Sequence, residues 1–236
     1  MAVQLDEQRL VLLRAGEGEV ITDVPERTLR LLTDDDRLTL TWFRYEPGEE
    51  GPDPHVHYTH SDAFYVLDGE LELRLGPDVQ SVAAPPGTLG SAPANLVHTF
   101  KNSSDATALF INVHAPGAGF ADMLRARRDG RHREAEQFDQ HEPPEDGGRP
   151  LGDAVVGTPD ETGLQDRDGH FSLARIELGA GTERPLQGGL TAIYVLDGAA
   201  TLGETELGTG DFALVDGEDV LRNASDAATR CAIFSV

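Results

Sequence analysis

Pro54-His55-Val56-His57-Tyr58-Thr59-His60-Ser61-Asp62-Ala63-Phe64-Tyr65-Val66-Leu67-Asp68-Gly69 is the stretch from which both the fold and the chemistry of this chain are read. Successive residues of a strand point to opposite faces. His55 and His57, two apart, therefore share a face, with their imidazoles about 7 Å apart along the chain. That is close enough for both to converge on one ion. Asp62 lies an odd five residues beyond His57 and reaches the same face only through a turn or bulge. The polar run Tyr58 to Ser61 suits one.

Working outward, strand patterns dominate. Leu38–Tyr45, Leu71–Leu75 and Phe171–Leu178 alternate with period two, which predicts one buried and one wet face. Turn-forming clusters separate them, among them residues 46–54 and Asn102-Ser-Ser-Asp105. The sequence also repeats itself. Tyr65-Val-Leu-Asp-Gly69 recurs at Tyr194–Gly198, and Asn102-Ser-Ser-Asp-Ala106 recurs loosely at Asn223–Ala227. Two landmarks in the same order indicate duplication. Between the copies, Phe120, Met123, Leu124 and Arg127 fall at helical spacing, ending near Gly130, and residues 131–149 read as a polar linker. The expected organisation is all-β: a first domain over 1–118, a helix and linker over 119–149, and a second domain over 150–236.

His98 follows Pro93-Ala-Asn95, a turn that delivers a new strand. Three imidazoles and a carboxylate suit a borderline divalent metal: Fe, Mn, Ni, Cu or Zn. Here the sequence resembles the cupin superfamily. The first cupin motif, a glycine, then His-x-His, three or four residues, Glu, six residues, Gly, is matched by His55, His57, Asp62 and Gly69, with the opening glycine displaced: Gly51 is too close to His55 and Gly48 one residue too far. The second, Gly-x5-Pro-x-Gly-x2-His-x3-Asn, is matched by Gly87, Pro93, Asn95, His98 and Asn102. The resemblance implies two jelly-roll barrels, a bicupin, with one divalent transition metal ion held by His55, His57, Asp62 and His98. Asp62 replaces the usual Glu with a shorter side chain, which implies a weaker or water-mediated contact. Asn95 replaces a glycine, and Asn is the next best residue where φ must be positive. In the second copy, counting from its Tyr-Val-Leu-Asp-Gly, Arg184, Leu186 and Thr191 take the places of His55, His57 and Asp62. Leu221 or Asp219 takes that of His98. This half resembles a barrel that has lost its metal.

The other histidines, His114, His132, His141 and His170, read as packed or solvated residues, and His60 as a supporting group, a substitute ligand or a surface residue. The arginines between 125 and 133 read as a solvated helix face. With 19 basic and 42 acidic residues the net charge is −23, which argues against nucleic acid or an anionic membrane as partners. One cysteine, Cys231, permits no intrachain disulfide. The opening residues lack the pattern of a signal peptide, and no apolar run is long enough to span a membrane, so the expected location is the cytoplasm. The partner expected is a small-molecule substrate or ligand, with the chain a monomer or homodimer. Resemblance to small bicupins of the quercetinase and pirin sort implies oxygenase-like chemistry. The alternatives are a cupin isomerase using the metal as Lewis acid and a non-catalytic ligand- or metal-binding cupin.

Overall fold

The computed structural model describes residues 10–132, 138–223 and 225–236. Residues 1–9 of the expected first domain, 133–137 of the expected linker, and Ala224 lie outside the described residues. The strands of the first half are β1 (Leu10–Leu13), β2 (Glu19–Asp23), β3 (Arg27–Asp35), β4 (Leu38–Tyr45), β5 (Ser61–Asp68), β6 (Leu71–Leu75), β7 (Gln80–Ala84), β8 (Leu89–Ala92), β9 (His98–Lys101) and β10 (Ala108–Ala115). After helix α1 (Phe120–Arg128) come β11 (Val155–Gly157), β12 (Leu164–Gln165), β13 (Ser172–Leu178), β14 (Glu183–Leu186), β15 (Leu190–Asp197), β16 (Ala199–Leu202), β17 (Thr205–Gly208), β18 (Phe212–Asp216), β19 (Asp219–Arg222) and β20 (Thr229–Ser235). No helix among the described residues is long and apolar enough to cross a membrane.

These strands form two antiparallel jelly-roll barrels. The first combines a sheet of order β11-β8-β5-β10-β4-β3-β2 with a smaller sheet, β7-β6-β9. The second combines β1-β18-β15-β20-β13-β12 with β14-β19-β16-β17. Two strands cross the divisions expected at 118 and 150. β1 pairs with β18, and β11 pairs with β8. Each covers backbone N–H and C=O groups that would otherwise line an open sheet edge. Strands of three or four residues carry too little pattern to announce such an exchange.

The duplication is visible atom by atom. Asn102 Nδ2 donates to the carbonyls of Tyr45 and Ala106, and Asn223 Nδ2 donates to those of Leu178 and Ala227. Both Gly69 (φ 69°) and Gly198 (φ 90°) sit in the left-handed region. A Cβ on Gly69 would lie 2.2 Å from the Thr107 carbonyl oxygen, so only glycine fits this turn.

The alternation of β5 sends Phe64 and Val66 into the first barrel's core. Ala63 and Tyr65 face outward and join Phe171, Phe212 and Phe234 of the second half in a shared apolar layer. β4, whose alternation predicts one wet face, is therefore largely buried on both, because the other half of the molecule covers its outer face. α1 occupies the predicted span. It seats Ala121, Met123, Leu124 and Ala126 against the first barrel, with Phe138 beside it. Its arginines are not simply solvated. Arg125 pairs with Glu19 and Asp34, and Arg128 with Glu19, so the helix is pinned to β2 and β3.

Candidate metal centre

His55 and His57 lie in the loop entering β5, Asp62 on β5 and His98 at the start of β9. A backbone bridge puts His55 directly opposite His98. Asn95 has φ 65°, the left-handed conformation that the turn before His98 requires. All four side chains are buried, and one ligand atom from each lies within 4.8 Å of the others. Donors around one ion at ~2.0–2.2 Å are at most about 4.4 Å apart, so closure onto an ion needs only small side-chain shifts.

The backbone fixes which ring nitrogen each histidine offers. His55 Nδ1 lies 2.9 Å from the carbonyl oxygen of Asp53, and His98 Nδ1 2.9 Å from that of Leu96. His57 Nδ1 donates to the carbonyl of Asp139. A carbonyl only accepts, so each Nδ1 carries its hydrogen and each neutral ring presents a lone pair at Nε2. His57 Nε2 is buried with no hydrogen-bond partner among the described residues. His98 Nε2 faces Asp62 Oδ2 at 3.1 Å, which sets a lone pair against a carboxylate. A cation between them satisfies both, and the same cation satisfies the orphaned His57 Nε2. The donor set therefore fits a divalent transition metal.

Burial, reinforced by His98 and His57, pushes the His55 pKa down to about 2. Burial and His57 bring His60 to about 4. Burial would raise the Asp62 carboxyl, but the imidazoles of His114, His57 and His98 outweigh it and keep the carboxyl well below the usual carboxylate range. His55 and His60 are thus held uncharged and Asp62 ionised, the protonation states a metal needs. A sign follows for the metal-free protein. Unfolded histidines take up protons near 6.5, whereas folded His60 and His55 resist until about 4 and 2. Acid therefore favours the unfolded chain. After chelator treatment the thermal midpoint is expected to fall steadily as pH drops from about 6.5 towards 4. A midpoint that is flat across that range would contradict these shifts.

Two supports were not legible as such in the sequence. His114, read as a packed residue, lies opposite Asp62 in the β10–β5 register. It joins His60 at 2.8 Å and reaches Asn112 at 3.1 Å, while Asn112 Nδ2 donates to Asp62. His57, His60 and His114 form a second close group of buried donors. The even spacing of Asn112 and His114 on one strand was the available signal. Asp139 comes from the segment read as linker. Its carboxylate accepts from Tyr58 N, Thr59 N, Thr59 Oγ1 and His60 Nδ1, and its carbonyl orients His57. Nothing local in the sequence marks it. Asp139→Ala is expected to weaken metal binding by ~10–100-fold without abolishing it. Competition against a chromophoric chelator measures this, and unchanged affinity would show that the segment is only a connector.

The second barrel lacks the set. Thr201 opposite Arg222 repeats Glu72 opposite Lys101, which places Asp219 where His98 lies. Leu186 stands opposite Asp219 as His55 stands opposite His98. Counting along the sequence put Arg184 at that position. The structure shifts it by two residues, because the loop before β15 is shorter. Thr191 and Ser235 pair as Asp62 and His114 do.

Comparison with known proteins agrees with this architecture. The family model described as "Cupin domain" matches residues 41–114. No curated protein sequence matches the chain. Among solved structures, the bacterial pirin YhhW of Escherichia coli in complex with nickel(II) superposes with TM-score 0.65 at 15% identity, covering 96% of this chain and 98% of that one. A salicylate 1,2-dioxygenase from Pseudaminobacter salicylatoxidans gives 0.59 at 16%, covering 85% and 71%. Procruciferin, an 11S globulin from Brassica napus, gives 0.64 at 12%, covering 96% and 83%. At these identities the likeness is one of fold.

Proposed function

From a chain with the fold of two cupin-type barrels and a cupin domain in the first, we propose a metal-dependent enzyme of oxygenase-like type acting on a small organic molecule. His55, His57 and His98, with Asp62, would hold one divalent transition metal ion. The observation that carries this is the shared orientation of the three rings. Each is tethered through Nδ1 to a backbone carbonyl, which leaves three Nε2 atoms and a carboxylate directed at one point. When bound, such an ion supplies Lewis-acid or redox chemistry at coordination positions left open by the protein. The rest is the work of the chain. Asn112 and His114 fix the Asp62 carboxylate from behind, and Asp139 fixes His57. Phe43, Phe100, Met123 and Leu124 give the adjoining cavity an apolar wall. The salicylate dioxygenase superposition supports the reaction class by analogy of fold.

The test is oxygen consumption by protein loaded with iron or manganese, against a panel of catechols, flavonols and diketones. Turnover that disappears on chelation is the expected result. Tight ligand binding without turnover across the panel would favour a binding module.

A further inference from the structure

The cavity lined by His55, His57 and Asp62 measures about 190 Å³, below the usual 300–1,000 Å³ of small-molecule sites, so its occupant is compact. α1 closes it with Phe120, Met123, Leu124 and Arg127, one helical face at i, i+3, i+4 and i+7. Phe120 stacks on His114 with ring centroids 3.5 Å apart. Arg127 lies seven residues further on, ~10 Å along the helix axis. The face thus runs from the histidine cluster, across apolar side chains, to a guanidinium.

That guanidinium is unlike its neighbours. Arg125 pairs with Glu19 and Asp34, Arg128 with Glu19 and Asp129, and Arg27, across the cavity, with Glu49 at 3.1 Å. Arg127 donates only to the neutral Gln140 Oε1, at 2.8 Å, and forms no ion pair among the described residues. This occurs in a chain with 42 acidic residues. The residue is exposed where the cavity opens, yet crowding around it lowers its pKa below the ordinary arginine value. A guanidinium has five N–H donors in a planar fork that matches a carboxylate edge-on. With one donor engaged, Arg127 retains the two needed for such a pair.

Resting on the reading proposed above, we propose that Arg127 anchors the carboxylate, or an equivalent planar oxyanion, of a small organic acid whose apolar body crosses the cavity towards His55, His57 and His98. Arg127 is then a specificity-determining residue, and the substrate class is that of compact, partly apolar organic acids.

Isothermal titration calorimetry of the full chain, loaded with Co(II), against propionate, benzoate and 3-phenylpropionate and their amides tests this. The intact protein is expected to bind at least one acid more tightly than its amide by about tenfold or more, the range of a charge-assisted pair. Arg127→Gln should erase that preference. Arg127→Lys, which keeps the charge without the fork, should fall between. Equal binding of acids and amides, a preference surviving in Arg127→Gln, or no binding of any acid at millimolar concentration would overturn the proposal. Elemental analysis of the same samples separates the two readings. Protein without metal contradicts the metal centre, whereas metal-loaded protein indifferent to the carboxylate contradicts only the role of Arg127.

Discussion

Replacing His55 and His57 together with alanine is expected to take the protein from about one bound metal per chain to background, the largest change any two substitutions should produce. The two rings supply half of the four-group set, and His57 contributes a buried Nε2 with no hydrogen-bond partner among the described residues. What remains, His98 and Asp62, face each other at 3.1 Å and are two donors where the set had four. The fold should survive, because the two side chains line a cavity and both fall outside the three apolar core clusters. Elemental analysis after dialysis against the metal, with circular dichroism to confirm the fold, reads both outcomes. A folded double variant that still retains stoichiometric metal would remove these residues from the site.

The second large effect concerns the second barrel. Residues 1–118 expressed alone are expected to lack a cooperative thermal transition, or to associate. The fragment would lose β11 from the edge of β8, and its β1 would have no partner strand. Leu38, Leu40, Tyr65, Ile111 and Val113 would lose Phe171, Phe212 and Phe234, exposing an apolar layer far too large for a stable monomer. It would also lose α1 and the turn at Asp166–Phe171. In that turn, Asp166 accepts from Ser61 Oγ at 2.7 Å and Asp168 from Ala94 N at 2.9 Å, tying down both histidine-bearing loops. In the intact chain, Phe234→Ala alone should cost ~3–5 kcal/mol. A monomeric fragment with an unchanged melting midpoint and metal affinity would show that the second barrel is dispensable.

Much of this architecture is legible in the sequence, for physical reasons. His55, His57, Asp62 and His98 are separated by spacings that strand and turn geometry turn into one cluster. Asn95 signalled its own positive φ, and the paired Asn102 and Asn223 signalled a duplicated fold. What escaped reading was non-local. Asp139 acts across 82 residues on His57, and no local pattern encodes such a contact. His114 looked like any histidine in an apolar strand, because its meaning depends on register with Asp62. The exchanged strands β1 and β11 are short and become intelligible only once the edges they cover are known. The shared apolar layer hid behind the alternation of β4, since period two reports which residues share a face and not what covers it.

The most direct measurement is a crystal structure of metal-soaked protein, with anomalous scattering recorded on both sides of that metal's absorption edge. A single strong peak is expected within ~2.0–2.3 Å of Nε2 of His55, His57 and His98, with the Asp62 carboxylate bound directly or through one water. Ordered imidazoles with no anomalous peak between them, or the only peak in the second barrel near Leu186, Thr191 and Asp219, would contradict the account.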